Sequence, residues 1–280
     1  MTLATTADLI GRARSARVGL PAFNVITLEH AEGIALGAEQ AGCAAILQIS
    51  ENAVKFHGGR LGPIAAATVE VARQATVALA VHIDHVEDPA LLRQAADTGI
   101  SSAMFDASHL GYDANVAATL EAATWARDHG LLLEAELGKV GGKDGAHAPG
   151  VRTDPREAAE FVAATGVDLL AVAVGSSHAM VDRTAELDLR LVEDIATSLP
   201  VPLVLHGSSG VPDAMLAAAV RAGLVKINIG TILNVAWTDA VRRTLDADAA
   251  LVDPRTYLRP AREAVTDVVA RLAGVIGRPS

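Results

Sequence analysis

Cysteine is almost absent from this 280-residue sequence, because Cys43 is the only one. A single cysteine excludes an intrachain disulfide and a cysteine metal cluster, and it is typical of a protein from a reducing compartment. Aromatic residues are also scarce, at 3% of the chain, whereas hydrophobic residues make up 51%. The core must therefore be aliphatic. Short aliphatic runs are typical of parallel α/β proteins, whose strands are covered on both faces.

Signals for export and for membrane insertion are missing as well. The opening 19 residues contain no apolar stretch like that of a signal peptide. No apolar run approaches the roughly 20 residues needed to span a bilayer. The formal charge of −10 argues against nucleic acid and anionic membranes as partners. We therefore expect a cytoplasmic protein that binds neither nucleic acid nor membrane.

The sequence alternates eight times between a short β-branched run and an Ala-rich helical stretch. Eight such units without a linker predict one domain over residues 1–280, a (β/α)8 TIM barrel. A short N-terminal helix and a C-terminal helical extension from about residue 260 complete this α/β prediction. A Rossmann-like open sheet is the alternative, weakened because no G-x-G-x-x-G follows the first strand. The predicted strands span 18–25, 43–50, 77–84, 101–107, 131–137, 168–174, 201–207 and 224–230.

Two helix starts are marked clearly. Asp88 and Asp154 are each followed by proline, a pairing of N-cap carboxylate and first-turn proline. Glu157 stands three residues after Asp154, as in a capping box. These signals predict helices that begin directly after both aspartates.

A polar residue stands at or just beyond the end of every predicted strand. In a TIM barrel the C-terminal ends of all strands face one mouth, where the active site lies. Side chains far apart in sequence are therefore expected to converge there. In chain order these residues are Asn24, Ser50, Asp84 with His85, Asp106, Glu136, His178, His206 and Asn228.

Three of these mouth residues are histidines, His85, His178 and His206. Imidazole is the commonest zinc ligand, and three protein ligands with an open position are typical of a catalytic zinc. A lone histidine at a strand end is more often a hydrogen-bonded loop residue. Three at equivalent barrel positions, with carboxylates beside them, favour a metal site instead.

Carboxylates flank the histidines. Asp84 could move a proton at a coordinated hydroxyl, or it could support a histidine tautomer. Glu134 and Glu136 alternate on the fifth strand and share a face. Glu136 is nearer the mouth, so we expect it to contact the metal or a lysine. His82, inside the third strand, is expected to support the site from below.

Glycine-rich segments follow the last two strands. HGSSG (206–210) and NIGT (228–231) occupy the loops that usually bind phosphate in this barrel, through backbone N–H groups at helix N-termini. The segment 138–153 is long, rich in glycine and without a helix pattern. It is either surface loop or a closing lid.

At these residues the sequence resembles the class II fructose-bisphosphate and tagatose-bisphosphate aldolases, over nearly the whole chain. The shared pieces, taken together, are specific to that family. They are PAFNV (21–25), ILQIS (46–50), HIDH (82–85), MFDASHL (104–110), EAELGKVGG (134–142), AVAVGSSH (171–178), PLVLHGSSG (202–210), KINIGT (226–231) and DPRTYLRPARE (253–263).

The resemblance implies zinc-dependent cleavage of a phosphorylated ketose to dihydroxyacetone phosphate and an aldehyde. Fructose 1,6-bisphosphate is the implied substrate, with tagatose 1,6-bisphosphate or another ketose phosphate as alternatives. It also implies a homodimer or homotetramer and leaves open whether a monovalent cation assists. The resemblance implies zinc binding by His85, His178 and His206, with Glu136 nearby, and proton transfer at the C4 hydroxyl by Asp84. It implies a phosphate cradle of Gly207, Ser209, Asn228 and Thr231. It also implies contacts of Asn24 and Ser50 with the other half of the sugar, and binding of the far phosphate by Arg255 of a neighbouring subunit.

Departures from the family pattern lie at the lid and the phosphate site. Asp144 stands near the position of the usual lid glutamate that handles the C3 proton, and Ala179 replaces a glycine. Arg183 is a candidate replacement for a lysine often found near that position. Ser208 replaces Gly or Ala, and Ile232 replaces an acidic residue. The metal residues are unchanged, so the identity of the ketose is the open question.

Two other functions remain open at this stage. The altered lid would suit a barrel kept for sugar-phosphate binding without catalysis. A metal-dependent isomerase or epimerase could also use this barrel. For the aldolase itself, a lysine-based mechanism through Lys226 or Lys139 is an alternative, but it does not explain the three histidines at the mouth.

Overall fold

Eight parallel strands close into a barrel in the computed structural model, which describes residues 2–137, 152–177, 180 and 182–278. The strands pair in chain order, and β1 closes the ring by pairing with β8, for example Leu20 with Lys226. The predicted TIM barrel is confirmed, and the open Rossmann-like sheet is excluded. The strands are β1 (Leu20–Asn24), β2 (Ala45–Ser50), β3 (Leu79–Val86), β4 (Ser102–Phe105), β5 (Leu132–Glu136), β6 (Leu169–Ala171), β7 (Leu203–Leu205) and β8 (Leu224–Ile229).

Helices surround this barrel, and none in the described part of the chain combines the length and apolar character needed to cross a bilayer. A short 3-10 turn, Ser208–Gly210, follows β7. The helices are α1 (Thr6–Ala16), α2 (Leu28–Ala41), α3 (Glu51–Phe56), α4 (Leu61–Gln74), α5 (Pro89–Ala95), α6 (Tyr112–Asp128), α7 (Pro155–Thr165), α8 (Leu189–Ser198), α9 (Asp213–Ala222), α10 (Thr231–Ala247) and α11 (Pro254–Ile276).

The predicted start of the C-terminal helix near residue 260 was wrong. Helix α11 begins at Pro254, where Asp253 caps it by accepting a hydrogen bond from the backbone N–H of Arg255. Pro260 therefore lies inside the helix, within its second turn. The two other predicted aspartate caps are confirmed, since Asp88 and Asp154 accept hydrogen bonds from the first turns of α5 and α7. Each such cap stabilises a helix by about 1 kcal/mol.

Helix α1, the predicted short N-terminal helix, covers the bottom of the barrel. Leu9, Ile10 and Ala13 on its buried face pack with barrel-interior residues such as Ile46 and Val204. The Thr6 side chain lies 2.6 Å from Ser102 Oγ at the start of β4. The bottom of the barrel is thus filled mainly by aliphatic side chains with a small Thr6–Ser102 contact, whereas the charged residues lie toward the mouth.

Candidate active site at the barrel mouth

A cavity of about 240 Å³ opens at the C-terminal ends of the strands. Its walls are polar, and strands β1, β2, β3, β7 and β8 all contribute to them. The lining residues are Asn24, Gln48, Ser50, Asn52, Asp84, His85, His206, Gly207, Ser208, Ser209, Asn228, Ile229, Gly230, Thr231 and Asn234. We call the lining residues Asp84, His85 and His206, together with Asp106 and Glu134 behind them, the metal wall. The backbone of 207–210 with that of 230–232 is the phosphate wall.

A bulge in β3 brings two consecutive side chains to the same mouth. Ile83 pairs with Ala103 and Val86 with Phe105, so Asp84 and His85 together oppose one residue of β4. His85 has φ +49°, a left-handed conformation that is uncommon for a residue other than glycine. In a regular strand these neighbours would point to opposite faces. The bulge removes that restriction, and both side chains line the cavity.

Two of the three predicted zinc ligands, His85 and His206, lie in the described part of the chain, and a carboxylate holds each of them through one ring nitrogen. His85 Nδ1 lies 2.8 Å from Asp106 Oδ2. His206 Nε2 lies 2.8 Å from Glu134 Oε1, and the other oxygen of Glu134 accepts a hydrogen bond of 2.7 Å from Lys226 Nζ. An ionised carboxylate can only accept, so the proton in each pair belongs to the imidazole.

The remaining nitrogens of these two rings face each other. His85 Nε2 and His206 Nδ1 are 3.1 Å apart, and the rings meet edge to face. With the other nitrogen of each ring protonated, both facing atoms present lone pairs in the neutral rings. Two such lone pairs repel unless a proton or a metal cation is shared between them. Nitrogens bound to one tetrahedral zinc at about 2.0–2.1 Å would lie roughly 3.3 Å apart, close to the observed separation.

The electrostatics of the metal wall favour a bound cation. Burial lowers the pKa of His85, but the carboxylates of Asp84 and Asp106 outweigh it and raise that pKa to about 10. The carboxylates remain ionised. Burial raises the pKa of Glu134, but Lys226 and His206 lower it to about 2. The negative potential that stabilises a proton on His85 would also stabilise a divalent metal cation at the same place.

The donor set fits a metal of the zinc type. Asp84, His85 and His206 can direct one ligand atom each to a common point, with those atoms within 4.8 Å of one another. A second such group is His85, Asp106 and Glu136. Imidazole nitrogens with carboxylate oxygens are the ligands that zinc takes in catalytic sites.

Asp84 lies at the floor of the cavity and is 2% exposed. Burial raises its pKa, but His85 and His82 hold that pKa well below its ordinary value, so the side chain is a carboxylate. Gln48 Nε2 donates to it at 3.3 Å, and His82 Nε2 lies 3.6 Å away, below it in the barrel. Asp84 is therefore an ionised, oriented base that borders the cavity.

The phosphate wall is formed mainly by backbone. Gly207 has φ +66°, and an added Cβ would lie 2.5 Å from the carbonyl oxygen of Ser177. The Ser208 hydroxyl donates to the carbonyl of Asn228, and Ser209 Oγ accepts a hydrogen bond of 3.2 Å from the backbone N–H of Ile232. These bonds join the loop after β7 to β8 and to the start of α10. The result is a helix N-terminus facing the cavity, an arrangement suited to phosphate.

The departures at 208 and 232 leave this wall intact. Ser208 is buried and adds a bond from the loop to β8. Ile232 packs its side chain against the hydrophobic core and takes part in the wall only through its N–H. Arg183 donates to the carbonyl of Val211 and pairs with Asp213 at 2.7 Å, and it does not line the cavity.

Most of the residues predicted from sequence converge at the mouth. The cavity is lined by Asn24, Ser50, Asp84, His85, His206, Gly207, Ser209, Asn228 and Thr231. Glu136 is buried at the end of β5, within reach of His85 and Asp106. His178 and Asp144 lie outside the described residues. Arg255 lies elsewhere on this chain, beside Arg259 and Arg262 in a separate cavity, and its guanidinium binds Asp253.

Sequence reasoning missed three contributions. Gln48 was not singled out, although it lines the cavity and bonds both Asn24 and Asp84. Asp106 was recognised only as a strand-end residue, not as the partner of His85. Glu134 was left without a partner, whereas it binds His206 and Lys226. Lys226 is fully buried beneath the cavity and bound to that carboxylate, so it is not placed for a Schiff-base mechanism.

Comparison with known proteins agrees with this geometry. The family profile described as "Fructose-bisphosphate aldolase class-II" matches residues 4–279. A fructose-bisphosphate aldolase of Staphylococcus epidermidis is 35% identical over 274 residues, covering 96% of this chain and 95% of that protein. A 6-phospho-5-dehydro-2-deoxy-D-gluconate aldolase of Bacillus velezensis is 36% identical over 272 residues, covering 96% and 93%.

A solved structure shares the fold over almost the same length. The YdjI aldolase of Escherichia coli K12 superposes with a TM-score of 0.83 at 31% identity, covering 98% of this chain and 97% of that one. The chain belongs to the class II fructose-bisphosphate aldolase family. It is a metal-dependent aldolase, a carbon–carbon lyase with a sugar-phosphate substrate.

Proposed function

We propose that this protein uses zinc to cleave fructose 1,6-bisphosphate reversibly into dihydroxyacetone phosphate and an aldehyde. The observation that carries the proposal is the pair of facing imidazole nitrogens of His85 and His206, 3.1 Å apart. The carboxylates of Asp106 and Glu134 orient the two rings so that this gap accepts a cation. His178 is proposed as the third ligand and Glu136 as a nearby acid.

When bound, zinc supplies Lewis-acid stabilisation of the negative charge that develops on the ketone half of the sugar. Asp84 removes the proton from the C4 hydroxyl, the C4–O bond becomes a carbonyl and the C3–C4 bond breaks. The electron pair remains on the ketone half, whose C3 is then protonated. We assign that proton to Asp144. The ionised state and the burial of Asp84 suit the role of base.

The phosphate wall is proposed to hold the phosphate of the ketone half. Backbone N–H groups of the loop after β7 and of the start of α10 supply the donors. The proposed polar contacts are Gly207, Ser209, Asn228 and Thr231. Asn24 and Ser50, which also line the cavity, would contact the hydroxyl groups of the aldehyde half.

The identity of the aldehyde half can be measured with three substrates that share one product. Fructose 1,6-bisphosphate, tagatose 1,6-bisphosphate and 6-phospho-5-dehydro-2-deoxygluconate are assayed by release of dihydroxyacetone phosphate. We expect the highest kcat/KM for fructose 1,6-bisphosphate. A higher value for either other substrate would contradict that assignment but not the aldol chemistry. Cleavage of none by zinc-loaded protein would overturn the catalytic proposal.

We also propose a homodimer or homotetramer in which Arg255 of one subunit binds the far phosphate at the mouth of another. Its side chain is 85% exposed on this chain, and it is away from the cavity of its own barrel. Arg255→Ala is expected to raise KM for bisphosphates with little change in zinc affinity. Cytoplasmic localisation stays a prediction from the sequence.

Subunit complementation tests the shared site. Asp84→Asn and Arg255→Ala proteins are mixed, dissociated and reassociated, then assayed at low substrate concentration. If the arginine acts across subunits, mixed oligomers contain one intact site and regain activity above the sum of the two parents. Activity equal to that sum, in oligomers shown to be mixed, would contradict it.

A further inference from the structure

A glutamate and a lysine form an ion pair inside the barrel, below the cavity. Glu134 is 1% exposed and Lys226 is fully buried. The Lys226 ammonium donates to one oxygen of Glu134 at 2.7 Å, and the other oxygen lies 2.8 Å from His206 Nε2. Removing two charges from water is costly, and an apolar pair of similar volume is often at least as stable. Core stability alone therefore gives little reason for this pair.

We propose that the Glu134–Lys226 ion pair is a positioning device for His206, which holds the Nε2-protonated tautomer and the ring orientation that turn Nδ1 toward the metal. This inference rests on the metal proposed above. Lys226 acts through Glu134 and touches neither the metal nor the substrate. Glu134 lies on β5 and Lys226 on β8, so the pair connects two strands to the ring of His206, which follows β7.

The position of each atom supports the proposal. Glu134 can accept from His206 only if the proton is on Nε2, because an ionised carboxylate has no hydrogen to give. Lys226 keeps Glu134 ionised, and it occupies the second oxygen, so the first is left for the imidazole. Asn228 Nδ2 lies 3.1 Å from His206 Nε2 and also donates to Asp84 Oδ1 at 3.4 Å. His206 Nε2 cannot donate to Glu134 and accept from Asn228 at the same time, and its contact with the carboxylate is the shorter, at 2.8 Å.

His85, the other proposed zinc ligand in the described part of the chain, provides an internal comparison. The carboxylate of Asp106 holds His85. The side chain of Asp106 is 14% exposed, and its remaining oxygen is bound by Ser108 rather than by a lysine. Water and a hydroxyl can support that carboxylate. Glu134, shielded from water, requires a buried cation for the same purpose. We therefore expect metal binding to depend on Lys226 and on no equivalent cation at His85.

The test uses the full-length protein and the variants Glu134→Gln, Lys226→Met and Glu134→Gln/Lys226→Gln. Zinc affinity is measured by competition with a chromophoric chelator, and folding by circular dichroism and Tm. We expect each single variant to lose about 10–100-fold in zinc affinity, the usual effect of removing a partner of a metal-bound histidine. Glu70→Gln, which alters only exposed contacts with Arg73 and Gln74, is the matched control and should leave affinity unchanged.

A spectroscopic readout separates positioning from simple structural support. In metal-free protein, the side-chain ¹⁵N–¹H spectrum of His206 should show protonation at Nε2, and Lys226→Met should mix the tautomers. If Lys226→Met does not fold, the double variant removes both charges together and leaves no unpaired buried charge. We expect it to lose zinc affinity as well, because no ionised carboxylate then holds His206. Folded variants with wild-type zinc affinity and an unchanged His206 tautomer would overturn the proposal.

An absence of zinc binding by the wild-type protein can be distinguished from a failure of the ion-pair proposal. If wild-type protein binds no zinc, the proposed function fails, yet the tautomer of His206 in the metal-free protein still decides whether the ion pair positions the ring. If wild-type protein binds zinc and only the variants fail to do so, both proposals are supported.

Discussion

The metal wall and the phosphate wall share one cavity but are held together differently. In the metal wall, charged side chains from several strands fix one another, as in the chain Lys226–Glu134–His206. In the phosphate wall, the shape comes from backbone, with Gly207 in a left-handed conformation and Ser209 binding the start of α10. The metal wall therefore depends on which side chains are present, whereas the phosphate wall depends on the space available and on the direction of the backbone N–H groups. This explains how Ser208 and Ile232 can depart from the family pattern without altering the phosphate wall.

The largest effect is expected from His85→Ala. The change removes one of the two facing nitrogens and leaves Asp106 without its imidazole partner. Zinc affinity should fall by at least about 10³-fold, and cleavage should become undetectable. Zinc content after dialysis, measured by atomic absorption, checks this. Wild-type zinc content would mean that the metal lies elsewhere.

Asp84→Asn should separate proton transfer from metal binding. The amide keeps the shape and can still bond Gln48, but it cannot accept the C4 proton. We expect kcat to fall by about 10²–10⁴-fold, the usual contribution of a general base, with zinc affinity nearly unchanged. Stopped assays with zinc-saturated protein provide the measurement. A parallel loss of zinc would show that Asp84 is a ligand instead.

Gly207→Ala tests the statement that the phosphate wall depends on backbone. The new Cβ would strain a left-handed residue and meet the backbone of Ser177. We expect KM to rise by about tenfold or more, since a left-handed alanine costs about 1–2 kcal/mol before any contact is counted. Because His206 is adjacent, zinc affinity is measured on the same sample. A larger loss of zinc affinity than of substrate affinity would contradict the claim that the two walls have separate roles.

Ser209→Ala should have the smallest effect. It removes one hydrogen bond to the Ile232 N–H while the glycine backbone keeps its shape. A net loss of about 0.5–1.5 kcal/mol corresponds to roughly 2–10-fold in KM, with kcat and zinc affinity unchanged. Steady-state kinetics would show this. A kcat decrease without a change in KM would contradict a role in binding.

The sequence predicted the barrel and most of its mouth residues because both follow from local patterns. Alternating strands and helices define the topology, and strand-end positions place polar side chains at one face. Partnerships within the mouth could not be predicted this way. Whether Glu134 meets His206 depends on the stagger of β5, β7 and β8, which no local pattern encodes. The bulge that turns both Asp84 and His85 inward is likewise absent from the strand pattern.

The start of α11 shows the opposite failure, in which a local signal was present but was not used. Asp253 followed by Pro254 is the same cap pattern that correctly marked α5 and α7. The start was expected near residue 260, although the earlier pair satisfied the same rule. Pro260 has no N–H to donate to the carbonyl four residues earlier, so it lies inside the helix without donating an intrahelical bond.

The central claim is that carbon–carbon cleavage in this cavity requires a metal held by His85 and His206. The most direct measurement is cleavage of fructose 1,6-bisphosphate before chelation, after EDTA and after added zinc, with borohydride trapping in parallel. We predict activity that EDTA abolishes and zinc restores, with no trapped covalent adduct. Cleavage that persists in metal-free protein, with a borohydride-reduced lysine adduct, would contradict the account.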